Sequence, residues 1–212
     1  MGGSIAAVFG TNLAPAHVHN DVLPLPTQLG GVTVLVDGVP APLFDVTSTQ
    51  ITFQVPWRLL AKTQATVAVV VNGFTSNAVT VTPVAFAPAI FTRNSQGTGQ
   101  GAVLFNSSAI LVDSSHPARA GTLINVFATG LGAIFSSVPD GTAGSGSVLS
   151  PNNATATMGE IPAKVGFAGI AGFVGLYQIN VTIPQGAPSG NEVPLVLTIG
   201  SVPSNTVTIA IQ

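Results

Sequence analysis

The sequence predicts an all-β protein: two tandem immunoglobulin-like β-sandwiches joined by a connector that contains a β-hairpin. Three observations predict it. The chain writes one phrase twice. Its apolar residues alternate in short runs. Those runs are separated by dipeptides that favour tight turns.

The repeat comes first. "GSIAAVFGTNLAP" at 3–15 returns as "GTLINVFATGLGA" at 121–133, with Gly3, Val8, Phe9, Thr11 and Leu13 answered by Gly121, Val126, Phe127, Thr129 and Leu131. "VPAPL" at 39–43 returns as "IPAKV" at 161–165, and "QITFQVP" at 50–56 as "QINVTIP" at 178–184. "VNGFTSNAVTV" at 71–81 returns as "IGSVPSNTVTI" at 199–209. The offset grows from 118 to 122 to 128, so small insertions separate motifs that keep their order. The duplicated unit is roughly 85–90 residues, the size of one small domain.

The unit reads as β. Val32, Val34 and Val36 share one face of an alternating run that ends at Asp37-Gly38, a hairpin signal. Ile51, Phe53 and Val55 share one face of the next run, and Pro56 ends it. Two β-branched runs flank Asn72-Gly73, predicting a second hairpin. "PWRLLAKTQ" at 56–64 is the one place for a short helical turn, since Pro suits a helix start. The expected boundaries are a first sandwich over 1–90, a connector over 91–117 and a second sandwich over 118–212. In the connector, "GAVLF" and "AILVD" flank Asn106-Ser107-Ser108 and read as an extra hairpin packed on one or both domains.

Composition narrows the functional classes. Charged residues make up only 6% of the 212, against 46% hydrophobic. Thr, Ser, Asn and Gln number 59 and must supply most of the polar surface. Five scattered Lys and Arg cannot form the basic cluster that nucleic acid or an anionic membrane surface requires. There is no Cys, so neither a disulfide framework nor a thiolate zinc site is available. No apolar run is long enough for a membrane-spanning helix, so no membrane insertion is expected. The opening "MGGSIAAVFG" lacks the basic and long apolar parts of a secretory leader.

Few residue groups suggest chemistry, and each has a plainer reading. His17, His19 and Asp21 in "HVHND" could pair imidazoles toward a metal, or simply form a polar loop. Asp113, Ser114, Ser115 and His116 nominally contain a triad, yet neighbours so close in sequence suit a turn better. "GTGQG" at 97–101 lacks the Lys of a phosphate loop and precedes a strand. Asp37 and Glu160 stand at matching turns, and no loop gathers the carboxylates that calcium needs. Trp57 could stack on a sugar or fill a domain junction. "GFAGIAGFVGLYQ" at 166–178 carries Ile170, Phe173, Val174 and Leu176 among glycines, where the first copy has the polar "DVTSTQ". It reads either as a loop folded over its own sandwich or as an apolar docking patch, for which Trp57 is a further candidate. No catalytic residue, cofactor or metal ligand is assigned.

"GSIAAVFGTNLAP", "LPLPTQLGGVTVLVDGVPAPLF", "QITFQVPW", "GFVGLYQINVTIP" and "PLVLTIGSVPSNTVTIAIQ" together resemble a family of C-terminal domains found in large secreted or surface proteins of acidobacteria. The resemblance spans nearly the whole chain, and each half looks like the IPT/TIG type of immunoglobulin-like domain. Loops 16–22 and 138–157 depart from it. The resemblance implies an extracellular or cell-surface setting and no known catalysis, and it carries no site residues. The expectation is a non-enzymatic structural or adhesive module, with self-assembly into a fibre or surface layer as its extension. Its partners would be other copies of itself or other surface-protein domains. The alternative is a glycan-binding module, which needs Trp57 or several Phe rings on one exposed face.

Overall fold

The computed structural model of the chain describes residues 1–144, 150 and 153–212, and only the backbone of Leu60 and Ala61. The expected all-β architecture is found: strands dominate, and among the described residues the one helical element is a 3-10 turn, Trp57–Ala61. The chain forms two compact units. The first comprises Met1–Ala85, Gly172–Gly175 and the described part of Ser136–Ser145. The second comprises Phe86–Phe135, Leu176–Gln212 and the described part of Gly146–Ala171.

In the first unit, β1 (Ile5–Phe9), β2 (Val18–His19), β5 (Leu43–Val46) and β6 (Gln50–Gln54) form one antiparallel sheet, ordered β1-β6-β5-β2. The other sheet contains β3 (Val32–Val36), β4 (Val39–Pro40), β7 (Ala65–Val71), β8 (Phe74–Thr75) and β9 (Val79–Val81). It runs β4-β3-β7-β8, with β9 also on β7. The alternation of Val32, Val34 and Val36 turns all three inward, where they meet Leu43, Val46, Ile51 and Phe53 of the facing sheet. That shared core makes the unit a sandwich. Each such side chain contributes about 1.5–3 kcal/mol on burial.

The second unit repeats most of this plan. Its strands are β10 (Ala89–Ile90), β11 (Val103–Phe105), β12 (Leu123–Thr129), β13 (Ala154–Met158), β14 (Ile161–Ile170), β15 (Tyr177–Thr182), β16 (Gly190–Ile199), β17 (Val202–Pro203) and β18 (Val207–Ile211). The register is also repeated. Ile5 opposes Gln54 and Phe9 opposes Gln50; Leu123 opposes Thr182 and Phe127 opposes Gln178. Val67 opposes Val79, as Leu195 opposes Val207. These pairs carry the same offsets, 118 and 128, that relate the sequence motifs. Even the bulge recurs, skipping Phe44 in one copy and Gly166 in the other.

Turn chemistry explains why the register holds. Asp37-Gly38 takes φ values of 50° and 75°, and Asn72-Gly73 takes 49° and 87°, the left-handed pairs of a two-residue hairpin turn. The second copy uses Gly159-Glu160 and Gly200-Ser201 at the same places, again with positive φ at both residues. The copies differ at one crossing. β14 runs unbroken from β13 to β15, changing partner between Ala163 and Lys164 just ahead of its bulge, whereas in the first unit the same path is split into β4 and β5. Pro42 stands at the split and has no N–H to offer a ladder.

The main departure is burial at the last strand. Val207 and Ile209 of β18 are wholly buried, while their counterparts Val79 and Val81 are 53% and 38% exposed. Replacing Ile209→Ala is expected to cost about 2–5 kcal/mol of unfolding free energy. Val79→Ala should stay within about 0.5 kcal/mol. Urea unfolding of both variants checks the contrast.

Candidate functional site

The structure disperses the apolar loop residues. Ile170, at the end of β14, is 2% exposed, and Val174 is 2% exposed. Leu176 is half-buried, and Phe173 is 68% exposed. The loop is tight because Gly172 and Gly175 adopt positive φ and the Ala171 N–H donates to the Leu176 carbonyl. A side chain at Gly175 would meet Ile5 and the Gly3 carbonyl of the first unit. Phe173 alone among these four is presented to solvent.

Trp57 opens the 3-10 turn that follows Pro56. Its ring lies against Gly3, whose missing side chain leaves the room for it. Its backbone N–H donates to Asp140 at 2.9 Å, and the next residue, Gly141, donates to the buried Gln54 side chain at 2.6 Å. The indole N–H is buried and meets no acceptor among the described residues. The ring is thus engaged with the first unit's own backbone.

The polar candidates do gather, around a residue that the sequence motif did not single out. Asp45 on β5 accepts from His17 Nε2 at 2.8 Å and lies 3.2 Å from His19 Nδ1. His19 Nε2 reaches Asp21 at 2.8 Å. Asp45 stands opposite His19 in the β2–β5 ladder, so strand pairing alone brings them together. The carboxylates of Asp21 and Asp45 raise the pKa of His19 above its ordinary 6.5. The two carboxylates favour the protonated form of the His19 ring. Among the described residues, no His, Cys, Asp and Glu group is arranged to hold a metal ion.

Elsewhere the polar motifs shape turns. Asp113 accepts the N–H groups of Ser115 and His116 at 2.9 and 3.1 Å. Gly97 and Gly99 of the "GTGQG" stretch adopt positive φ. Asp37 holds its turn from outside: it pairs with Lys62 and accepts the Thr66 N–H at 2.7 Å. Those contacts, Lys62 foremost, lower its pKa below the usual carboxylate value.

The first unit has a cleft of about 660 Å³ between β1 and β9, the open side of the sandwich. Val8 and Phe9 stand on one wall, Val79 and Val81 on the other, with Phe53 and Val69 below. Among the described residues no charged side chain lines it. Sequence pattern did not reveal it, since β1 and β9 have the same alternation as their buried counterparts. The signal lies in what the second copy has beside those strands.

Two pH effects follow. Because His19 is raised in the fold, its contribution is complete below pH 6.5 and is lost as pH rises through its folded pKa. Melting from about pH 5 to about pH 9 is expected to show that loss in the native chain and not in His19→Gln. Because Asp37 is lowered, its contribution is complete above pH 3.8 and fades as pH falls through the folded value. Asp37→Asn is therefore expected to melt lower at neutral pH, with the difference closing in acid, as differential scanning calorimetry would read. No protein-family model matches this chain, and no curated protein matches it.

Proposed function

We propose that this protein is a non-enzymatic extracellular module, structural or adhesive, built of two immunoglobulin-like domains of the IPT/TIG type. It works by associating with other copies of itself or with other surface-protein domains, to the point of a fibre or layer. The observation that carries this reading is the surface. Phe9, Phe74, Phe135 and Phe173 are each more than two-thirds exposed, on a chain with a formal net charge of only −2. Exposed rings gain from burial against a partner, and low charge removes the repulsion that keeps copies apart. Open strand edges beside the β1/β9 cleft add main-chain groups able to pair with another chain. The extracellular setting rests on the resemblance to acidobacterial C-terminal domains.

The test is assembly. Light scattering and electron microscopy across a concentration series are expected to show ordered oligomers or filaments, weakened by Phe9→Ser combined with Phe173→Ser. A persistent monomer at every concentration overturns the self-associating form.

A further inference from the structure

The open side of the first unit has a covered counterpart in the second. There, residues 87–118 lie along both strand edges. β10 and β11 pair with the outer edge of β12. Gly101 donates to the Thr208 carbonyl of β18 at 2.9 Å, and Thr208 donates back to Gly99 at 2.8 Å. Ala118 and Ala210 join further along at 2.9 Å. Ile90, Val103 and Val112 of this segment are 2% exposed or less. One side chain clamps it: Asn205 accepts the Ile90 N–H at 2.7 Å and donates to the carbonyls of Ile90, at 3.0 Å, and Gly97, at 2.7 Å.

Each partner of that segment has its twin at the cleft. Thr80 and Thr82 correspond to Thr208 and Ala210 by the 128-residue offset, and Ala7 and Phe9 correspond to Asn125 and Phe127 by the 118-residue offset. With the register shared, they turn the same backbone groups outward, and among the described residues nothing pairs with them. Asn77 corresponds to Asn205 and lines the cleft. It is held alike: Ser76 Oγ accepts the Val69 N–H at 3.0 Å and donates to the Asn77 carbonyl at 2.8 Å, as Ser204 does at 3.0 and 2.7 Å. The Asn77 amide itself is exposed and bonds to nothing among the described residues.

We infer that the β1/β9 cleft is a docking groove for an extended, charge-poor β-segment of another polypeptide, clamped by Asn77. Two strand edges and an amide that reads one residue's N–H and C=O call for a peptide backbone. A small apolar floor without charged side chains calls for Val, Ile, Leu and Ala at alternate positions, the chemistry of residues 87–118. The inference deepens the association reading, and it rests on that reading only in taking the partner to be a polypeptide.

The experiment uses the isotope-labelled 212-residue chain and a synthetic peptide with the sequence of residues 86–118. On adding peptide, the amides of Ala7, Phe9, Thr80 and Thr82 and the side-chain amide of Asn77 are expected to shift. Their hydrogen exchange should slow by about tenfold or more. A scrambled peptide should do neither. Asn77→Ala and Val79→Lys replace exposed groups, so an unchanged melting curve certifies their fold, and each should weaken binding by about tenfold, equivalent to about 1.4 kcal/mol. Unmoved cleft amides, or equal affinity in both variants, overturn the inference. So do cleft shifts that grow with protein concentration without peptide, which identify a second copy as the occupant. A monomer that binds the peptide sinks the assembly reading and leaves the groove standing; assembly with these amides untouched does the reverse.

Discussion

Strand register is the constraint on which the structure depends. Side chains on a strand alternate with a period of two, so a slip of one residue would carry every inward Val, Ile and Leu to the solvent face. Here the left-handed dipeptides at Asp37-Gly38 and Asn72-Gly73 set the alignment of β3 with β4 and of β7 with β8 in the first unit. The second unit aligns β13 with β14 and β16 with β17 in the same way through Gly159-Glu160 and Gly200-Ser201. The residue types changed and the backbone requirement did not. That is why the motifs survive as echoes while most positions between them have drifted.

The repeat lets one copy interpret the other. Val79 and Val207 occupy the same register position, yet one is 53% exposed and the other wholly buried. Intrinsic propensity cannot explain the difference, since the residues are identical. The cause is the segment 87–118, which covers β18 in the second copy; among the described residues nothing lies in that place on β9. The exposure of the cleft therefore follows from what lies beside β1 and β9 rather than from the strands themselves.

The fold was legible because its signals are local. Alternation in 32–36 and 50–55 and the turn dipeptides each speak through adjacent residues. The site was less legible because its residues meet across sheets. Asp45 joins His17 and His19 only through the pairing of β2 with β5, which no spacing in "HVHND" encodes. Ile170 and Phe173 look alike in sequence, each following a glycine, but one faces inward and the other outward; the preceding glycine leaves both directions open to the backbone. Trp57 is settled against Gly3, a contact 54 positions distant that a lone Gly in a repeated phrase does not announce.

The unbroken β14 has a mechanical consequence. One backbone serves both sheets of the second unit, so its nine described strands form a single hydrogen-bonded fabric. Peeling one sheet from that fabric strains the other, and the unit opens as a block. The first unit has a seam at Pro42, where two separate sheets of four and five strands adjoin without a shared strand. Partial opening is easier along a seam than through a fabric. Duplication has thus left one chain with two sandwiches of like design and unlike cooperativity.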